Sequence, residues 1–245
     1  MPVPGAPDAR DDVFSEEDRV ADAASVEWRV AVGGDETTAV YDAAPGDGPP
    51  VVYVCAHGAG GNRDDRGMLA LRDALLARGI GVARFNFIYK EKGSGRPDPM
   101  PRLMECVTAV VERVRGELHP GVLVIGGRSM GGRAASMLAA EGFACDGLLL
   151  MAYPLHPAGQ PEKLRDAHLP AIRVPVLCFN GTRDDLCRRD LMERALETVG
   201  PNFRMHWLEA ADHSFHVLKK SGRTDAQVLD EVADATREWI DGLGA

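Results

Sequence analysis

The chain has no paired cysteines, no net positive charge and no apolar run of membrane length. Its five cysteines, Cys55, Cys106, Cys145, Cys178 and Cys187, are odd in number, scattered, and never in a CxxC pair. That excludes a disulfide framework and a cysteine-rich zinc site, and leaves free thiols in a reducing compartment. Asp and Glu number 37 against 28 Lys and Arg, a formal net charge of -9. Bulk attraction to nucleic acid or to an anionic membrane needs basic patches, so both partners are set aside. The start, "MPVPGAPDARDDVFSEEDR", has no cationic segment leading into an apolar one, and a cytoplasmic chain is the expectation. GxGxxG is absent around the glycine-rich stretch at 124–133, and with it the dinucleotide fingerprint.

What remains is the pattern of an α/β protein. Residues 1–22 are polar and expected to be flexible, and residues 23–245 are expected to form one domain. "VEWRVAV" and "TTAVYDA" alternate around "GGDE", which predicts a β-hairpin. From residue 51, short apolar runs such as "VVYVCAH", "GVARFNFIY", "GVLVIGG", "GLLLMAY", "VPVLCFNG" and "FRMHWLEA" alternate with segments of helical period. Runs this apolar fit strands covered on both faces, hence a doubly wound, mostly parallel sheet. Two excursions, Lys90 to Pro101 and Pro154 to His168, leave the predicted C-terminal ends of strands, the edge where such sheets bind ligands, and are expected to roof the site.

The chemistry centres on "VIGGRSMGGR" at 124–133. A phosphate-binding loop would need Lys and Ser or Thr where Gly132 and Arg133 stand. Gly127-Arg128-Ser129-Met130-Gly131 does satisfy GxSxG between a predicted strand and a predicted helix, the setting of a nucleophile elbow. Side chains two before and two after the serine would collide in so sharp a turn. A serine hydroxyl needs a base oriented by a carboxylate, and in this architecture the order is Ser, acid, His. "GTRDD" follows one later strand and "ADHSFH" the next. Asp184 ranks ahead of Asp185, which lies a step nearer the next helix and suits its N-terminus; Asp212 is a weaker rival. His213 ranks ahead of His216, which sits towards the first turn of the last helix, while His206 falls inside a strand and reads as structural. Oxyanion donors are expected from the N–H of Met130 and, in "HGAGGN", from that of Ala59. His57, unaccompanied by other metal-type residues, reads as a structural hydrogen-bond partner. Arg128, Lys90, Lys92 and Arg96 would favour an anionic group nearby, although charges in loops are usually only solvated.

Taken together, "HGAGGN", "RFNFIY", "GGRSMGGR", "AYPLHPAGQPEKLRDAHLP", "FNGTRD" and "DHSF" resemble the α/β-hydrolase superfamily, and within it the KANL/Tex30-like group related to dienelactone hydrolases. The resemblance implies an eight-stranded, mostly parallel sheet and a Ser129, Asp184, His213 triad. Dienelactone hydrolases typically carry cysteine where Ser129 stands, so their reaction is not implied. In the nearer group Pro and an aromatic often follow the acid, where this chain has Asp185-Leu186-Cys187. The expected activity is hydrolysis of an ester, thioester or related acyl bond of a small molecule, without a cofactor or metal, by a monomer or homodimer. A non-catalytic binding or scaffold protein and an acyltransferase are the alternatives.

Overall fold

Strands β1 (Ser25–Val32) and β2 (Asp35–Asp42) bury every second side chain over much of their length, as their alternating sequence requires. They are antiparallel, joined at Gly33 and Gly34, with Val32 opposite Asp35. A two-residue connection needs positive φ, which Gly33 supplies at +56°. The structure, a computed structural model, describes residues 25–243, and the segment 1–22 lies outside the described residues.

The remaining strands are β3 (Val51–Ala56), β4 (Gly81–Phe85), β5 (Val122–Arg128), β6 (Gly147–Met151), β7 (Val176–Gly181) and β8 (Phe203–Leu208). The sheet order is β1-β2-β4-β3-β5-β6-β7-β8, parallel from β4 onwards, with β2 antiparallel to β4. This is the eight-stranded, mostly parallel sheet of an α/β-hydrolase fold.

Helices α1 (Arg66–Leu76), α2 (Ile88–Glu91), α3 (Met100–Leu118), α4 (Met130–Ala140), α5 (Arg189–Leu196) and α6 (Asp225–Asp241) complete the chain. Two cores result, one on each face of the sheet. Val52, Val54 and Ala56 of β3 pack with Val107, Val111 and Ala135 of α3 and α4. Tyr53 and Cys55 point the other way, towards Leu71 of α1 and Val228 and Trp239 of α6. Buried on both faces, β3 shows no polar alternation in sequence although its side chains alternate in space.

Two expectations need correction. "GVARFNFIY" is not one strand: β4 stops at Phe85, because the Phe87 N–H bonds to His57 Nε2 at 3.1 Å instead of to a neighbouring strand, and a helical turn begins at Ile88. Asp185 does not serve the N-terminus of α5, which starts at Arg189 with Asp190 as its first-turn acid.

Candidate active site

All the predicted site residues lie beyond the C-terminal ends of parallel strands, as the topology demands. Ser129 follows β5 directly and caps α4, with φ +48° and ψ -115°. A β-carbon rarely tolerates positive φ, so the turn is strained and needs support from its surroundings. The Ser129 N–H donates to the Met151 carbonyl at 2.8 Å, tying the turn to the end of β6. The glycines around it answer to β3: a β-carbon on Gly127 would lie 2.2 Å from the Ala56 carbonyl oxygen, and one on Gly131 2.6 Å from the same atom. The two glycines therefore make room for one backbone carbonyl of the neighbouring strand, not for one another.

Asp184 and His213 come from two loops clamped backbone to backbone. A β-carbon on Gly181 would lie 2.1 Å from the Ala211 carbonyl oxygen, so only glycine lets the loops approach this closely. Arg183 N–H donates to Ala211 O at 2.9 Å and Ala210 N–H to Thr182 Oγ1 at 2.8 Å. The histidine loop is closed on itself as well. Asp212 Oδ1 accepts from the N–H groups of Ser214 and His216, and the Asp212 N–H donates to His216 O at 3.0 Å. Phe215, buried at φ +66°, plugs the loop into the core.

The structure brings Ser129, His213 and Asp184 into one hydrogen-bond chain. His213 Nδ1 lies 2.9 Å from both Asp184 carboxylate oxygens and Nε2 3.0 Å from Ser129 Oγ. A carboxylate only accepts, so Nδ1 carries the proton and Nε2 is left to accept from the serine hydroxyl. The Asp184 side chain is 0% exposed while that of His213 is 30% exposed, which puts the acid behind the base and the base at the surface. Asp184 also accepts from Leu186 N–H at 2.8 Å and Asn180 Nδ2 at 3.0 Å.

The other candidates are placed elsewhere. Asp185 is exposed beside Asp184, and Asp212 shapes its own loop. His216 is in that loop, not in a helical turn, and its Nδ1 donates to Asp225 at the start of α6, 2.8 Å away. His206 bonds Glu231 from within β8 at 2.8 Å. His57 donates from Nδ1 to Gly58 O at 2.7 Å and accepts from Phe87 at Nε2, and its burial lowers its pKa.

The loop after β3 stands beside the serine: a β-carbon on Gly58 would be 3.6 Å from Ser129 Cβ. Tyr89 donates to the Ala59 carbonyl at 2.8 Å and fixes that loop from α2. Among the described residues no hydrogen bond takes up the N–H of Ala59 or of Met130. Met130 is the first residue of α4, where no carbonyl of the helix lies a turn back to accept.

The four basic residues expected near an anionic group are otherwise employed or outlying. Arg128 turns inward: its Nη2 donates to the His213 carbonyl at 3.1 Å and its guanidinium lies 4.9 Å over the Phe215 ring. Burial lowers its pKa, and it serves the histidine loop. Lys92 pairs with Asp35 at 2.8 Å, Lys90 lies 5.8 Å over the Tyr89 ring, and Arg96 is exposed. Sequence reasoning missed that role of Arg128. It missed Asn180 too, which binds Tyr153 through both N–H and carbonyl while holding Asp184. The signal was a polar residue closing an otherwise apolar strand in "LCFNG".

Among the described residues no group of three His, Cys, Asp or Glu side chains is arranged to hold a metal ion. No described helix is long and apolar enough to cross a membrane. Burial pushes the thiols of Cys55 and Cys145 up to about 11 and that of Cys106 to about 12, far from nucleophilic use at neutral pH.

Solved structures share this arrangement of elements. An α-β serine hydrolase homologue from Coxiella burnetii superposes with a TM-score of 0.71 at 18% identity, covering 86% of this chain and 96% of that one. A lid-less α/β serine hydrolase from Xanthomonas campestris gives 0.70 at 21%, covering 88% and 95%. A dienelactone hydrolase from Anabaena variabilis gives 0.69 at 21%, covering 89% and 97%. At such identities these likenesses show the fold. Residues 49–241, which run from the start of β3 through α6 and hold every site residue described above, match the alpha/beta hydrolase domain as a family, and the chain belongs to it.

Proposed function

We propose that the protein is a serine hydrolase that cleaves an ester, thioester or related acyl bond through an acyl-enzyme intermediate. The observation that carries this reading is the continuous chain from Ser129 Oγ through His213 to buried Asp184. His213 Nε2 takes the serine proton as Oγ bonds to the acyl carbon. Asp184 holds the ring in the required tautomer and stabilises the imidazolium that forms. The oxyanion of the tetrahedral intermediate is received by the N–H groups of Met130 and Ala59, each worth about 3 kcal/mol in such sites. The intermediate then collapses, and the leaving oxygen or sulfur departs with the proton from His213. A water deprotonated by His213 next attacks the acyl carbon, the carboxylic acid leaves, and Ser129 regains its proton. No cofactor enters the scheme, and the substrate is a small acyl compound.

Purified protein should hydrolyse short-chain aryl esters and be labelled by a fluorophosphonate probe, whereas Ser129→Ala should do neither. An intact, folded wild type that resists the probe and leaves the esters untouched would overturn the reading.

A further inference from the structure

One turn of α4 beyond Ser129 stands Arg133, a cation with no counter-charge among the described residues. The Arg133 N–H donates to the Ser129 carbonyl at 2.9 Å, which places the two residues on the same side of the helix, about 5 Å apart along its axis. Its guanidinium enters no hydrogen bond and no ion pair among the described residues, and Nε is buried without a partner. A guanidinium offers five N–H donors, and buried donors are rarely left unmade in a folded protein.

A second such cation comes from the Pro154–His168 excursion. The backbone of Arg165 is fixed by its N–H to Leu155 O at 2.7 Å and by the Tyr153 hydroxyl to its own carbonyl at 2.6 Å. Its guanidinium has one long contact, 3.4 Å to Pro154 O, and among the described residues pairs with no carboxylate. The two arginines share a neighbourhood: Ser136, whose hydroxyl donates to the Arg133 carbonyl, meets His168 at 2.8 Å, and the His168 ring lies 6.4 Å from that of Tyr153, whose hydroxyl donates to the Arg165 carbonyl. Burial and then the charge of Arg133 lower the pKa of Arg165, and the same two causes bring His168 to about 4. Both guanidiniums also act on the Tyr153 hydroxyl, which burial raises. Asp166 lies near enough to act on His168, yet it pairs with neither arginine. Two like charges held together in a partly buried place, with a histidine kept neutral beside them, repel one another until an anion is placed between them.

We propose that Arg133 and Arg165 form an anion-recognition subsite, and that the substrate is an ester or thioester bearing a carboxylate or phosphate a short distance from the scissile acyl group. This rests on the serine-hydrolase reading above and adds the substrate class. A planar guanidinium fork suits either anion, and the excursion that carries Arg165 becomes a specificity element.

The test compares kcat/KM for 4-nitrophenyl hemiglutarate and 4-nitrophenyl valerate, each corrected for its hydroxide-catalysed rate. A second arm uses phenyl acetates with and without a carboxylate or phosphate on the ring, to separate an anion in the acyl part from one in the leaving group. The wild type should favour the anionic member of one arm by about tenfold or more. In Arg133→Met that ratio should fall towards one, in Arg165→Met it should fall in the same direction, and Arg133→Lys should keep part of it. A wild-type ratio at or below one in both arms, or a ratio that Arg133→Met leaves unmoved, overturns the proposal. If no ester is turned over and no probe labels Ser129, the hydrolase reading fails by itself. The subsite is then judged by calorimetric titration of glutarate and of phenyl phosphate into Ser129→Ala: saturable binding lost with added Arg133→Met supports it, and no binding overturns it.

Discussion

Ser129 and Ser136 lie two turns apart along α4, and each meets a histidine: Ser129 with His213 at 3.0 Å, Ser136 with His168 at 2.8 Å. The shorter contact belongs to the pair without a carboxylate hydrogen bond behind its histidine among the described residues. Ser136 sits fully buried inside the helix and its hydroxyl donates to the Arg133 carbonyl at 2.8 Å, so towards His168 it can only accept. His168 therefore carries its proton on Nε2, and among the described residues no carboxylate hydrogen bond orients its ring. Ser129 stands in strained backbone at the helix tip, its proton directed at a histidine whose other nitrogen faces a buried carboxylate. A serine–histidine contact by itself is thus only a hydrogen bond. The third group and the strained turn are what make Ser129, and not Ser136, the proposed nucleophile.

The strongest way to break that contrast is to remove the third group from the first pair. Each of Asp184's partners is a donor: His213 Nδ1, Leu186 N–H and Asn180 Nδ2. In Asp184→Asn the new amide NH2 must face one of them, and His213 is free to reverse its tautomer and turn N–H towards Ser129. Ester turnover is expected to fall about 10⁴-fold in kcat with the fold intact by circular dichroism. A loss below about tenfold would show that the carboxylate is structural, and would leave the two pairs chemically alike.

The second pair is probed by pH. His168 is lowered from 6.5 to about 4 by burial and by Arg133, so between those values the unfolded chain binds a proton that the folded chain refuses. Its contribution to stability is complete above pH 6.5 and is lost as the pH falls towards 4. The slope is at most about 1.4 kcal/mol per pH unit, and less where solvent reaches the ring. Urea denaturation of the wild type and of His168→Asn at pH 7, 6 and 5 should show the variant losing less stability over this window. Parallel curves would mean that His168 is not held neutral.

The contrast between the pairs also shows where sequence stops being readable. The fold was legible because buried strands and amphipathic helices alternate from Val51 to Asp241, broken between β6 and β7 by the Pro154–His168 excursion, and the hairpin carries its own turn glycines. The residues of the Ser129 pair were legible because topology sends successive strand ends to one edge, so "GRSMG", "GTRD" and "DHSF" had to open together. The Ser136 pair was not. His168 reaches α4 only through the course of an irregular excursion, which has no period to read. The end of β4 was missed because a side chain distant in sequence, His57, captures the Phe87 N–H. The use of Arg128 depends on how a loop eighty-five residues later folds back, and charge in a loop does not announce its partner.

Arg128 gives a subtler test of the first pair, because it touches only the backbone of the base. Arg128→Met removes the hydrogen bond to the His213 carbonyl and the guanidinium over Phe215 while keeping much of the buried stem. About a tenfold fall in kcat with little change in KM is expected, partly rescued by Arg128→Lys. A fall in thermal stability with kcat preserved would make Arg128 a packing residue and the His213 loop self-supporting.

The smallest effect is expected at Ser136→Ala, and it closes the comparison. The change removes the hydroxyl that accepts from His168 and leaves that N–H to find another partner, a loss of about 1–2 kcal/mol for a buried donor. Alanine in mid-helix returns roughly 0.5 kcal/mol, because the serine no longer competes for the backbone carbonyl of Arg133. The net cost should be about 1 kcal/mol in urea denaturation, with turnover of a neutral aryl ester lowered by less than about threefold. Probe labelling should stay on Ser129. If Ser136→Ala abolished labelling as Ser129→Ala does, the two contacts would be parts of a single device, and the separation drawn between a strained, acid-backed serine and a buried, proton-committed one would be wrong.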